Sequence, residues 1–397
     1  MTRLHSSPVT KRLVVATVLA AAALAGAPRA SAAWDDFEFG QKLISKGYIE
    51  QARKVFERIL ADDKRPQTDR DRARFGMALL GKAEAMAAGP NPKVPAKDVT
   101  TKFDAALASI REFLQKNPND VKAADAKGEI GSLALWFVDW ASTLARAEKP
   151  VQEARGAKAS DLLAAADKAA DTAVESYVGL VEGARKREED RPNDPKRREE
   201  RQLAEYRYVT AIFYKTFPLD PCSAKHISAL VDAKAKLDDY ATANDGVLTG
   251  VYALDNLGRV LQELAQCEND PDKKLTLYMN AHGQYKSCAD TPDEGEAYRQ
   301  LIAIGYLHDG RLGNSLPNLE DQKYRSLAKE IERALSGMSK AAPKAARVHD
   351  GVDASVEHAE LLMSLGDKVK ATTSRSAPPT LRARRASRTS SAAPTRS

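Results

Sequence analysis

Phe39-Gly40-Gln41-Lys42-Leu43-Ile44-Ser45-Lys46 returns 36 residues later as Phe75-Gly76-Met77-Ala78-Leu79-Leu80-Gly81-Lys82. Between the copies, Gly47 and Tyr48 lead into a segment whose apolar residues Ala52, Val55, Phe56, Ile59 and Leu60 keep the 3.6-residue period of one helix face. A helix, a turn at Gly47 and a returning helix, then the same opening again, is the sequence form of an α-solenoid. The fold class that follows is all-α: a solenoid of antiparallel helix pairs. The work expected of such an array is to hold other proteins.

These residues resemble the tetratricopeptide-repeat family, whose pattern is W-x2-L-G-x2-Y, then A-x3-F, then P. Phe39, Gly40 and Leu43 match the first helix in kind, and Ala52-x3-Phe56 matches the second at the family's offset. Asp36 stands where the family has Trp, and Pro66 comes two residues late. A second unit opens at 70–87, and its return helix is delayed by Ala88-Gly89-Pro90-Asn91-Pro92-Lys93-Val94-Pro95. Asp98 or Thr100 is then expected to cap a helix over 102–116, with Ala106, Ile110, Leu114 and Pro118 at the family's positions. The resemblance is best over 34–118 and thins to periodicity by about 337. It implies a right-handed array packed through Phe39, Gly40, Ala52, Phe56, Phe75, Gly76 and Ala106. It also implies that Trp34, Phe37, Gln41, Ile44 and Ser45, then Arg70, Ala73, Met77, Leu80 and Gly81, line a concave partner-binding face.

Further along, periodicity predicts helices over 121–148, 160–187, 199–217, 226–243, 248–266, 272–288, 294–308 and 319–335, with Gly337 as a C-cap, and over 355–365. Leu257-Gly258-x-x-Leu261 restates the small-residue contact of Phe39-Gly40-x-x-Leu43. Residues 185–201 hold eight basic and six acidic side chains and read as a solvated link, the best place for a break between two lobes. The expected organisation is a leader at 1–32, N-terminal repeats at 33–190, C-terminal helical repeats at 191–340, a partial repeat at 341–370 and a tail at 371–397. That tail, of Arg, Ser, Thr, Ala and Pro, has too little apolar surface to fold and is expected to be disordered.

Residues 3–29 carry Arg3, Lys11, Arg12 and Arg29 around the apolar run 13–25, followed by Ala30-Ser31-Ala32. This pattern predicts a secretory signal peptide cut near Ala32, and hence export to a bacterial periplasm or beyond. A retained membrane anchor is the alternative, although the run is shorter than the ~20 residues a span requires. The formal charge of +6 is carried by the two ends. Removing those four groups and the six arginines of the tail leaves −4 for residues 33–370. A basic face for a phosphate backbone is therefore not expected, and nucleic acid is set aside.

The exported compartment permits a disulfide among Cys222, Cys267 and Cys288. Helices flanking Asn244-Asp245-Gly246 form a hairpin that brings Cys222 opposite Cys267, whereas Cys267 and Cys288 bracket a helix roughly 24 Å long. The expected pair is Cys222–Cys267, with three free thiols as the alternative. The histidines show no metal-ligand spacing, though His282 with Cys288 is a conceivable site, and no phosphate loop or nucleophile motif occurs. No cofactor and no metal are expected. Trp136, Phe137 and Trp140 are either core or an anchor in a peptide groove.

The function expected is an exported, non-catalytic scaffold holding a peptide or helix of an envelope protein. Its rivals are a structural protein that forms a homo-oligomer through its unfinished C-terminal unit, a helical carrier of small apolar ligands, and an enzyme without a local motif.

Overall fold

The computed structural model describes residues 36–366, so the leader, Trp34 and the tail lie outside the described residues. Within them are fourteen α-helices, one short 3-10 turn and no strand. Two compact units meet in sequence at Leu80 and Gly81.

In the first unit α1 (Asp36–Ser45) and α2 (Ile49–Ala61) form a hairpin, followed by the opening half of α3 (Gln67–Ala88). Gly47, at φ 78°, ends α1: its N–H donates to the Ile44 carbonyl and that of Tyr48 to the Leu43 carbonyl, both at 2.9 Å. This is the Schellman arrangement, which needs a left-handed residue and so selects glycine. Phe56 of α2 is fully buried with Ala52 beside it on the same face. A Cβ added at Gly40 would stand 2.4 Å from the Phe56 ring, and one at Gly76 2.5 Å from it. The two glycines of the repeated stretch thus clasp one aromatic ring from two helices. Phe37 completes the cluster, 6.0 Å from Phe56 and 5.9 Å from Phe75 between ring centroids. The copies differ at the residue before glycine: Phe75 is buried, whereas Phe39 is 37% exposed.

The second unit runs through the end of α3, α4 (Ala96–Lys116), α5 (Ala123–Ala145), α6 (Lys149–Ala154), α7 (Ala159–Glu189), α8 (Pro195–Tyr214), α9 (Ala224–Ala243), α10 (Leu248–Cys267), α11 (Pro271–Ala289), α12 (Glu296–Ser315), α13 (Gln322–Ala341), a 3-10 turn (Ala345–Arg347) and α14 (His349–Ser364). Short links make successive long helices antiparallel, and they stack as two layers. Helices α5, α8, α10, α12 and α14 each touch the next of their own layer; α7, α9, α11 and α13 form the other. The contact first seen at Phe56 recurs between layers. Tyr177 of α7 fills the hollow at Gly131 of α5, and Tyr285 of α11 fills that at Gly258 of α10, where a Cβ would stand 2.3 and 2.5 Å from the ring.

Three expectations change and a fourth is extended. Ala106 packs against Gly81, whose Cβ would lie 3.6 Å from its own, while Gly76 belongs to Phe56. The proline segment that delays the return helix between α3 and α4 is also pinned from outside: buried Arg155 donates from Nη1 to the Gly89 carbonyl (2.7 Å) and from Nε to that of Val94 (3.0 Å). The charged stretch 185–201 does not separate two lobes. Its residues lace α7 to α8 through Arg185–Glu205 (2.8 Å), Arg187–Glu200 (3.4 Å) and the Arg201–Glu188 pair. Gly337 lies inside α13, which continues to Ala341 because Met338 still faces the core.

Of the aromatic group Phe137 is core, while Trp136 and Trp140 are half-buried. Phe137 stacks on Phe103 at 4.1 Å, and Trp140 donates its indole N–H to the Gly89 carbonyl at 3.0 Å. At the far end α14 lies on α12, with the Asn314 amide donating to the Glu357 carbonyl (3.0 Å) and Leu361 against the hollow at Gly313.

Candidate functional site

Of the front-helix residues implied by the resemblance, Phe37, Ala73 and Leu80 are core, with 2%, 0% and 1% of their surfaces exposed, and are withdrawn as partner contacts. A helix opening an array turns part of its front face into its own hairpin's core. Gln41, Ile44, Arg70, Met77 and Gly81 are half-buried and Ser45 is exposed. Arg70 is already engaged with Asp63 (3.5 Å) and Gln67 (2.9 Å).

The second unit offers two hollows, both on the α5–α8–α10–α12 layer and at opposite ends of α5 and α8. The first is a groove of about 730 Å³ between the N-terminal halves of α5 and α8, with α7 as its floor. Gly179 and Gly183 keep that floor low, and Leu180 and Ala184 make it apolar. Val121, 76% exposed in the turn before α5, and Leu203, 40% exposed on α8, present apolar side chains to it. Arg187 and Arg197 are tied to Glu200 at 3.4 and 2.8 Å, and Asp125 faces Lys122 at 3.3 Å. Lys127 and Arg207 are different: among the described residues neither has a carboxylate within 4.0 Å. Lys127 Nζ hangs over the floor 3.6 Å from the Cβ position of Gly179. Below them burial pushes the Tyr177 hydroxyl up to about 12, against the opposing charge of Arg207, so it stays neutral. The groove therefore joins an apolar floor to two uncompensated cations.

The second hollow, a cleft of about 580 Å³, lies at the C-terminal ends of α5, α8 and α10 beside α12. A disulfide, Cys222–Cys267, closes one side with Cα atoms 5.0 Å apart, and Cys222 holds a left-handed φ of 59°. The Cys222 N–H donates to His226 Nδ1 at 3.2 Å, which leaves the imidazole proton on Nε2, facing Glu263 at 3.5 Å. Arg146, Arg259 and Arg311 meet Asp139 and Glu263 across the opening.

Consecutive residues of α12 reach in two directions. His308 Nδ1 pairs with Asp255 of α10 at 2.6 Å, and Asp309 pairs with His282 Nδ1 of α11 at 2.8 Å. Burial pulls His282 down, but the hydrogen bond and charge of Asp309 outweigh it, so the imidazole titrates above its ordinary value; burial also raises Asp309. Cys288 donates to the Val251 carbonyl at 3.4 Å, so His282 and Cys288 face different partners and do not form the conceivable metal pair. Burial holds the Cys288 thiol far above its usual range, protonated and unreactive. No three His, Cys, Asp or Glu side chains among the described residues converge as a metal site.

The first hollow draws on residues from 118 to 207 and the second on residues from 139 to 311, which is why local motifs missed them. The available signals were exposed Val121 and Leu203 on otherwise polar faces, and an Ala-rich helix that twice substitutes glycine.

No protein-family model matches the chain, and no curated protein matches it. Among solved structures, the crystal structure of yeast Tom70 aligns with 85% of this chain and 90% of that one at 12% identity, with a TM-score of 0.15, a likeness too loose to carry an argument. The architecture rests on the chain's own paired helices, which suit a tetratricopeptide-like array.

Proposed function

We propose that this protein is an exported, non-catalytic interaction scaffold that holds an acidic amphipathic helix or peptide of an envelope partner in the groove between α5 and α8. The observation carrying this reading is the pairing of an open apolar floor with Lys127 and Arg207, two cations without carboxylate partners. An occupant with an apolar face and flanking Asp or Glu would cover Val121 and Leu203 and neutralise both charges. Export is argued from the leader-like sequence at 1–32 and agrees with a disulfide-bonded chain. Self-association through the last unit is less favoured, because α14 already lies against α12. A carrier of small apolar molecules would need a sealed apolar cavity, and both hollows are open and charged.

Acidic amphipathic peptides selected on the full chain from a displayed library test the assignment. Leu203→Asp and Arg207→Glu should each weaken a selected peptide by about tenfold or more, which is about 1.4 kcal/mol. A Gln41/Ile44/Met77 triple alanine variant should leave it unchanged. Peptides indifferent to both groove variants would overturn the assignment.

A further inference from the structure

We propose that the cleft beside the Cys222–Cys267 disulfide binds a small molecule through an oxyanion, a carboxylate or phosphate group, with Arg259 and Arg146 as its cationic contacts. This goes beyond the groove and does not depend on what the groove holds.

Arg259 projects from α10 into the cleft with its guanidinium 5.0 Å from the ring centre of Phe213 and 5.7 Å from that of Phe217. Aromatic faces on one side fix the plane of the fork, the Tyr214 hydroxyl meets part of it, and the rest of its N–H edge is open to the cleft. No carboxylate lies within 4.0 Å of it among the described residues. Arg146 is held at the rim by donating Nη2 to the carbonyls of Phe217 (2.5 Å) and Leu219 (2.9 Å), which orients the group without neutralising it. Its neighbours account for the other charges. Arg311 faces Glu357 at 3.6 Å, and Glu263 accepts from the Nε2–H side of His226 at 3.5 Å but keeps its charge, so Asp139 and Glu263 are the two carboxylates of the lining that oppose an anion. Burial raises the Asp139 carboxyl while Arg259 lowers it. The lining holds three guanidiniums against two carboxylates, and the two guanidiniums that have no carboxylate within 4.0 Å, Arg146 and Arg259, are the ones positioned for an anion; the 580 Å³ suits a small organic acid or phosphate ester.

The test is calorimetric titration of the full chain with inorganic phosphate and, separately, with succinate, against sodium chloride at matched ionic strength. Saturable binding of at least one is expected, and the stronger arm identifies the oxyanion. Arg146→Gln, an exposed position that should not disturb folding, is expected to weaken binding by about fivefold or more, and Arg259→Gln by about tenfold or more. Arg259→Lys should recover part of the loss, whereas Leu203→Asp in the groove should cause none. Heats equal to those of the chloride control, or binding unchanged in Arg146→Gln, would overturn the proposal.

Discussion

At the scale of single residues, Phe56 and the glycines around it state the packing rule of the chain. A methyl group at Gly40 or Gly76 would overlap the Phe56 ring, so Gly40→Ala and Gly76→Ala are each expected to destabilise by about 1–3 kcal/mol, and Phe56→Ala by about 3–5 kcal/mol. In a Phe56→Ala background the cost of Gly40→Ala should largely vanish; additive costs in urea unfolding would show that the glycine is there for another reason. His282 makes a pH statement at the same scale. Its folded value lies above the ordinary 6.5, so the folded chain holds that proton more tightly than the unfolded one. The added stability is complete below about pH 6.5 and is lost as pH rises through the raised folded value; Asp309, raised by burial, acts in the same sense. Urea midpoints should therefore fall between pH 6 and 8.5, and His282→Gln should flatten the dependence. An identical slope in the variant would assign the effect elsewhere. What sequence could reveal here was the small-against-aromatic rule, because the repeat places Gly40, Ala52 and Phe56 at fixed offsets. It could not separate Phe39 from Phe75: the same dipeptide is exposed in one copy and buried in the other, according to which helices cover it.

At the scale of elements, the links carry more structure than their composition suggests. Arg155, just beyond the six-residue α6, anchors the proline segment by two hydrogen bonds and lies 5.4 Å from the Trp140 ring centre. Arg155→Ala should cost about 2–3 kcal/mol and speed hydrogen exchange at 91–96. Unchanged exchange there would mean the prolines hold the segment alone. The lacing of α7 to α8 by Arg185, Arg187 and Arg201 is partly solvent-exposed, so removing any one pair should cost only about 0.2–1 kcal/mol and less in high salt. Helix positions between 36 and 341 were largely legible from periodicity and from turn residues such as Gly47 and Gly246, both left-handed. The link at 190–194 is largely exposed, as a solvated link should be, but the pairing of the charges around it could not be read until the two helix ends were placed side by side.

At the scale of the molecule, alternate helices of the second unit form one layer whose ends enclose both hollows, while a disulfide ties the loop before α9 to the end of α10. Reducing Cys222–Cys267 should lower stability by about 4 kcal/mol on the chain-entropy view, read as a fall in melting temperature that a Cys222→Ser/Cys267→Ser variant reproduces. A melting temperature indifferent to reductant would mean that this hairpin is held by packing alone. The paired-helix architecture was readable from a single repeated octet, but the groove was not. Its parts come from Val121, Lys127, Gly179, Leu203 and Arg207, which only the stacking of α5, α7 and α8 brings together. The resemblance pointed instead to α1 and α3, where a third of the nominated residues are core. Hydrogen–deuterium exchange of the full chain with and without a selected acidic peptide separates these surfaces directly. Protection should concentrate at 121–127, 179–187 and 197–207; protection confined to 41–45 and 70–81 would return the binding face to the first repeats and contradict the groove.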